Sequence, residues 1–187
     1  MDPRTAKILD FWLGAGPKAW FARNDAFDAE IRETFEADHF AAARGAFDDW
    51  AEAADGALAL LLLLDQVPRN LWRGTAHAFA TDALARRVAR VAVARGHDRA
   101  AAQELRPFFY LPFEHSEDLA DQARGVTLCE AMERETGDPS WIKWARIHRD
   151  IIARFGRFPH RNRCLGRETS PEEQAFLDQG GFGGRRG

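Results

Sequence analysis

Apolar positions recur along this chain at three- and four-residue spacing and seldom alternate singly with polar ones, which is the pattern of helices. Arg4 to Leu13 reads as a first helix, closed by the breaker Gly14-Ala15-Gly16-Pro17. A second begins at Asn24, whose side-chain oxygen can accept from free first-turn amides, and runs to Arg44 before Gly45. Phe27, Ile31 and Phe35 share one of its faces. Asp48-Asp49 start a short aromatic turn that leads to Gly56. From Ala57 to Leu64 the chain has no polar face at all, and a helix that is apolar all round is buried on all sides. This run is expected to be the central helix of the core and to stop at Pro68.

Beyond it, the turn Arg69 to Gly74 leads to Thr81, the expected cap of a helix to Arg95. Leu84, Val88 and Val91 form its expected buried stripe, with Arg86, Arg87 and Arg90 facing away as a solvated surface. Pro107 and Pro112 bracket the aromatic segment Phe108-Phe109-Tyr110. Ser116 is positioned to cap a helix to Thr136, and Asp138 a helix to Phe155, with Pro139 in its first turn and Gly156 ending it. Ser170-Pro171-Glu172-Glu173 is a capping box for a last short helix to Asp178.

Composition agrees with this pattern. Alanine, arginine, leucine and glutamate dominate while strand formers are scarce, with a single Tyr, so the fold class is all-α. At 187 residues, with 45% hydrophobic and 29% charged positions, the chain is long enough for one domain, expected over residues 1–178. Residues 179–187, rich in glycine, read as a disordered tail. A net charge of −3 supplies no basic field for nucleic acid, and the two arginines of the tail add little phosphate affinity. The longest apolar run is far short of the roughly 20 residues that span a bilayer, so no membrane partner is expected. Two cysteines exclude a disulfide framework, and Met1-Asp2-Pro3-Arg4 lacks the marks of a signal peptide, so a soluble cytoplasmic protein is expected.

Four groups of polar residues stand where apolar ones would be expected. Asp65 directly follows the apolar run near a helix C-terminus, where burial and the helix dipole both disfavour a carboxylate. It needs partners, and Arg69, Arg73, Gln66 and Asn70 lie within reach. His148 falls among Trp141, Trp144, Ile151, Ile152 and Phe155 on a helical wheel, so it should point inward, whereas Asp150 and Arg154 read as a surface ion pair. His115 sits among Glu114, Glu117 and Asp118 at a helix start. Arg157-Phe158-Pro159-His160-Arg161-Asn162-Arg163 is a loop dense in donors, suited to clamping a carboxylate or phosphate, or to tying Asp65 and Glu114 into the fold.

Three stretches carrying these residues, Leu62 to Asn70, Pro112 to Leu119 and His148 to Asn162, resemble the signature segments of the bacterial domain-of-unknown-function family 924. The likeness extends over nearly the whole chain. Val67 stands where the family pattern has Phe, and the glycine-rich end is peculiar to this sequence. The resemblance implies antiparallel helix pairs stacked in a compact, tetratricopeptide-like array. It implies no activity.

The polar groups admit three functional readings. In the first, Asp65, Gln66, Arg69, Asn70, His115, His148, Arg157, His160 and Arg161 line a polar pocket for a small anionic ligand or an acidic peptide end, because donors outnumber carboxylates in that set. In the second, a metal-dependent hydrolase uses His115, His148, His160 and Asp65 as ligands, with Glu114 or Glu117 as general base; no compact ligand spacing such as HExxH supports it, and no metal is assigned. In the third, the same groups are internal ties of a structural or interaction protein. The sequence assigns no catalytic residue and no cofactor, and leaves the oligomeric state open.

Overall fold

The computed structural model describes residues 2–181, and every regular element among them is helical. Of the expected tail 179–187, residues 182–187 lie outside the described residues. The elements in chain order are α1 (Pro3–Trp20), α2 (Asp25–Ala43), α3 (Ala54–Leu61), α4 (Val67–Leu71), α5 (Asp82–Ala94), α6 (His97–Ala100), α7 (Leu111–Glu114), α8 (Leu119–Thr136), α9 (Ser140–Phe155) and α10 (Pro171–Asp178). Short 3-10 turns at Asp48–Glu52, Ala76–Phe79, Gln103–Phe109 and Pro159–Arg161 connect several of them. The chain divides into two compact units: Met1–Arg73 with His77–Pro112, and Gly74–Ala76 with Phe113–Gly187.

In the first unit α3 is central, packed by α1, α5 and the 3-10 turn at Asp48–Glu52. Ala57 to Leu64 is buried throughout, as its lack of a polar face requires. Each of its buried leucines contributes roughly 1.5–3 kcal/mol. Gly56 is required here, since a Cβ would collide with the Trp50 backbone carbonyl. The breaker in α1 acts as a kink: Gly16 adopts φ +72° and the helix resumes at Pro17. Asn24 caps α2 as expected, accepting from the amides of Ala26 and Phe27.

The apolar helix does not stop at Pro68. It passes through a π turn at Leu62–Gln66 and continues as α4. Proline is the reason. The Val67 amide donates to Leu62 rather than Leu63, and Pro68 has no amide to offer either Leu63 or Leu64. Both orphaned carbonyls are taken by side chains from other segments: His39 Nδ1 lies 2.8 Å from the Leu63 oxygen, and the Thr81 hydroxyl donates to Leu64. Thr81 therefore does not cap α5, which has no side-chain cap. The expected stripe on α5 is also displaced. Its buried face is Ala85, Ala89 and Ala92, while Val91 is 41% exposed. Small side chains allow α5 to approach the fully apolar α3 closely, so the seam is set by size rather than by hydrophobicity.

In the second unit α8 and α9 pack against each other across the short link at residues 137–139. The pairing is antiparallel, with Glu130 on α8 bridged to Arg146 on α9 at 3.0 Å. Asp118, not Ser116, caps α8 by accepting from Ala120 and Asp121, and Ser116 instead donates to Asp121. On α9 the buried side is Ile142, Ala145, His148, Ile151 and Ile152, with Trp144 turned toward the surface. The expected pair Asp150–Arg154 is not formed, since Asp150 bonds Arg149 and Arg154 bonds Glu172. The capping box of α10 is present as the sequence predicts.

Candidate functional site

The first unit gathers Asp65, Gln66, Arg69 and Asn70 around the π turn. Asp65 is 1% exposed. It is met by Arg69 Nη1 at 3.1 Å and by the Gln66 amide at 2.5 Å. Arg69 also forms a two-pronged bond to Asp82 at 2.9 and 3.0 Å, and donates to the Asp65 carbonyl at 2.7 Å. Burial alone would favour loss of the guanidinium charge, but Asp65 and Asp82 overcome it and raise the Arg69 pKa. Arg73 does not serve Asp65. It holds Asp28 at 2.7 and 2.9 Å and Asn70 at 2.6 Å. These bonds join α2, α4 and α5, an internal tie between helices.

A second buried network, invisible in the sequence, lies in the same unit. The Tyr110 hydroxyl donates to Asp98 at 2.6 Å and accepts from Arg106 Nε at 2.7 Å. Burial, followed by the Asp98 carboxylate, pushes the Tyr110 pKa upward.

The second unit brings together His115, His148, His160 and Arg161. His148 projects from the buried side of α9, with Nδ1 2.8 Å from the Trp144 carbonyl and 3.4 Å from Glu114 Oε2. A carbonyl only accepts, so Nδ1 carries the hydrogen in the first of these bonds and the lone pair belongs to Nε2. Glu114 is 1% exposed at the end of α7, and its Oε1 accepts from Cys129 Sγ at 3.5 Å. The His115 ring lies 6.0 Å from that of His148, and Phe158 packs perpendicular to His148 at 5.7 Å. Arg161 stacks over Phe158 at 4.5 Å and donates to the His115 carbonyl at 3.1 Å, while the His160 ring is 5.5 Å from Phe158. Burial, and after it the neighbouring His115, Arg161 and His160, push the His148 pKa down to about 3. His148 is therefore a neutral imidazole at pH 7.

Two residues that sequence reading did not select border this site. Gln122 is completely buried and its amide reaches the carbonyls of Glu114 and Ser116 at 2.6 Å and of Phe113 at 3.4 Å. Gly125 of α8 faces α7, where a Cβ would stand in ordinary contact, 3.4 Å from Glu114 Cγ. Their signal in the sequence is that Gln122, Gly125 and Cys129 share one helical face. Arg157, by contrast, is bonded elsewhere, to Glu173 at 2.6 and 2.8 Å and to the Glu168 carbonyl at 2.8 Å. It borders a shallow depression of about 320 Å³ lined also by Arg154, Phe155 and Glu172, where the charged groups pair with one another. Among the described residues no group of three or more His, Cys, Asp or Glu side chains is placed to hold a metal ion, and no helix is long and apolar enough to cross a membrane.

The family model described as "Bacterial protein of unknown function (DUF924)" matches residues 8–181. The chain belongs to the DUF924 family. A solved structure similar to this DUF924 chain, that of a protein of unknown function from Agrobacterium tumefaciens, is 52% identical and superposes with a TM-score of 0.88 over 95% of this chain and 98% of that one. No functionally curated protein matches. At this identity the likeness supports the helical DUF924 fold over the 95% of the chain that it covers and carries no chemistry with it.

Proposed function

We propose that this DUF924 protein binds a small anionic ligand, such as a carboxylate or phosphate, at the His115, His148, His160 and Arg161 cluster of the second unit. The observation that carries the reading is the buried, neutral imidazole of His148 beside three groups that each oppose a positive charge on it. His115 from the α7–α8 connection and His160 and Arg161 from the loop after α9 bring donors to one place beside His148. Burial disfavours a charge of either sign, but the remaining opposition to a proton comes from His115, Arg161 and His160, a local positive field that favours an anion on the side away from Glu114, with the arginine and those two imidazoles as donors. An acidic peptide end presents the same carboxylate chemistry.

Asp65, Gln66, Arg69, Asn70 and Arg157 are read differently. Their bonds run to Asp82, Arg73, Glu173 and backbone carbonyls, which supports a role as ties between helices. The test is thermal unfolding in inorganic phosphate and in citrate. A ligand at about 100 times its Kd adds about 2.7 kcal/mol, which raises the Tm of a chain this long by roughly 5–10 °C. His160→Ala, at an exposed position, and Arg161→Lys should remove most of that rise while leaving the helical circular dichroism unchanged. Equal shifts in wild type and both variants, or no shift in any, would defeat the reading.

A further inference from the structure

His148 is closed off on one side by a single stretch of chain. Gly156 reverses α9 at φ +68°, and the residues after it return over the helix. Phe158, His160 and Arg161, the groups gathered over His148 from that side, all belong to this stretch. Between Asn162 and Ser170 it contains turns but no helix, and backbone bonds from Leu165 to Arg161 and from Arg167 to Asn162, at 3.0 and 2.9 Å, brace it internally as one piece.

Its attachments are both apolar and polar: Phe158, fully buried, packs with Ile151 and Ile152 of α9, and Arg161 donates to the His115 carbonyl at 3.1 Å. Glu117, on the connection before α8, binds it at both ends of the stretch. Oε1 accepts from the Phe158 amide and from Arg167 Nη1, each at 2.9 Å, and Oε2 accepts from Arg167 Nη2 at 2.8 Å. Farther along, Arg157 grips Glu173 of α10, and Phe176 of that helix rests on Phe155 at 5.1 Å. The second set ties the stretch to its own continuation and to the end of α9. The first set fastens both ends of the stretch, at Phe158 and Arg167, onto the segment that carries His115, and Arg161 adds one bond to it from the middle.

We propose that residues 157–169 form a strap that opens as a unit to admit ligand to His148, and that the Glu117 carboxylate is its latch. The ligand's identity rests on the anion reading above; the motion does not. A carboxylate shared between a backbone amide and a two-pronged arginine releases both ends of the strap when it is lost, whereas α8 and α9 keep their mutual packing.

The experiment compares wild type with Glu117→Gln, Arg167→Ala and the double variant, and with Arg167→Lys as a milder change. Hydrogen exchange is followed by mass spectrometry, together with the rate at which diethyl pyrocarbonate modifies His148. Opening of the strap predicts exchange of residues 158–167 and modification of His148 roughly tenfold faster or more in the single variants. Exchange within 119–136 and 140–155 should be unchanged, and the double variant should fall short of the product of the two single effects, because Arg167 and Glu117 share two of the three bonds of the latch. Unchanged His148 reactivity, or exchange that rises equally in both long helices, overturns the latch. A latch that behaves as proposed in a protein with no response to phosphate or citrate retains the strap and rejects the anion reading.

Discussion

His148 illustrates how much one side chain can impose on a helix. Its ring occupies a position that α9 would otherwise give to an aliphatic residue, and burial makes the charged form unfavourable. The consequence for stability has a definite sign. A base whose pKa is lower in the folded than in the unfolded state binds fewer protons when folded, so stability present above the unfolded value is lost as pH falls. With a folded pKa of about 3 against an ordinary 6.5, the loss runs through that interval, at up to about 1.4 kcal/mol per pH unit. His39, whose pKa burial also depresses, acts in the same direction. Glu173, held down to about 2 by Arg157, keeps its contribution above the ordinary value of 4.5 and loses it only as pH falls below that. Urea midpoints measured from pH 6.5 to 5 therefore isolate the histidines. His148→Gln should flatten the slope there, and a slope that the substitution leaves intact would contradict the buried neutral imidazole. That His148 points inward was legible from its place on the wheel. Its Glu114 neighbour was not, because that contact depends on α7, far away in sequence, and its tautomer rests on a rotamer that brings Nδ1 to the Trp144 carbonyl one turn back, which spacing alone does not fix.

At the scale of elements, capping signals were read best where the bonds are local. Asn24 and the Ser170 box did what short-range chemistry dictates. Thr81 and Ser116 have the same capping chemistry, but their hydroxyls are turned toward buried acceptors, the Leu64 carbonyl and Asp121, and Ser116 accepts from the Asp118 amide, ahead of α8, rather than from one in its first turn. The interval around Pro68 was legible as an interruption, yet its outcome was settled by His39 of α2 and by Thr81 just before α5, whose side chains take the two spare carbonyls. This makes a coupled pair. Thr81→Val should cost about 1–2 kcal/mol by leaving the Leu64 carbonyl unsatisfied. In a Pro68→Ala background the new amide can serve that carbonyl, so the same change should cost less than half as much. Denaturant titration of the four proteins measures the difference, and strictly additive losses would show that the hydroxyl and the missing amide are unrelated. The alanine seam of α5 teaches a related lesson. The spacing of Ala85, Ala89 and Ala92 was as regular as that of the larger residues beside it, but wheel-reading weights bulk, and close helix packing favours its absence.

For the whole chain, near balance of 26 basic and 29 acidic residues takes the form of specific pairs rather than a diffuse field. Some pairs, such as Arg69–Asp82 and Arg157–Glu173, are short and have at least one well-covered partner. Others, such as Arg154–Glu172, lie open to solvent. Raising NaCl from about 0.1 to about 1 M screens the second kind far more than the first, and exposed pairs contribute little to begin with. The unfolding free energy should accordingly change by less than about 1 kcal/mol, and a larger fall would mean that solvated charges carry much of the structure. The π turn at Leu62–Gln66 has a consequence of another kind, one of phase. A turn wider by one residue acts as an insertion, so the helix beyond it is rotated by about 100° from where an unbroken helix would place it. Remove one leucine, and α4 turns a different side toward α5, carrying Arg69 away from Asp82. The unbroken leucines from Leu60 to Leu64 look interchangeable as a composition; as a count they are not.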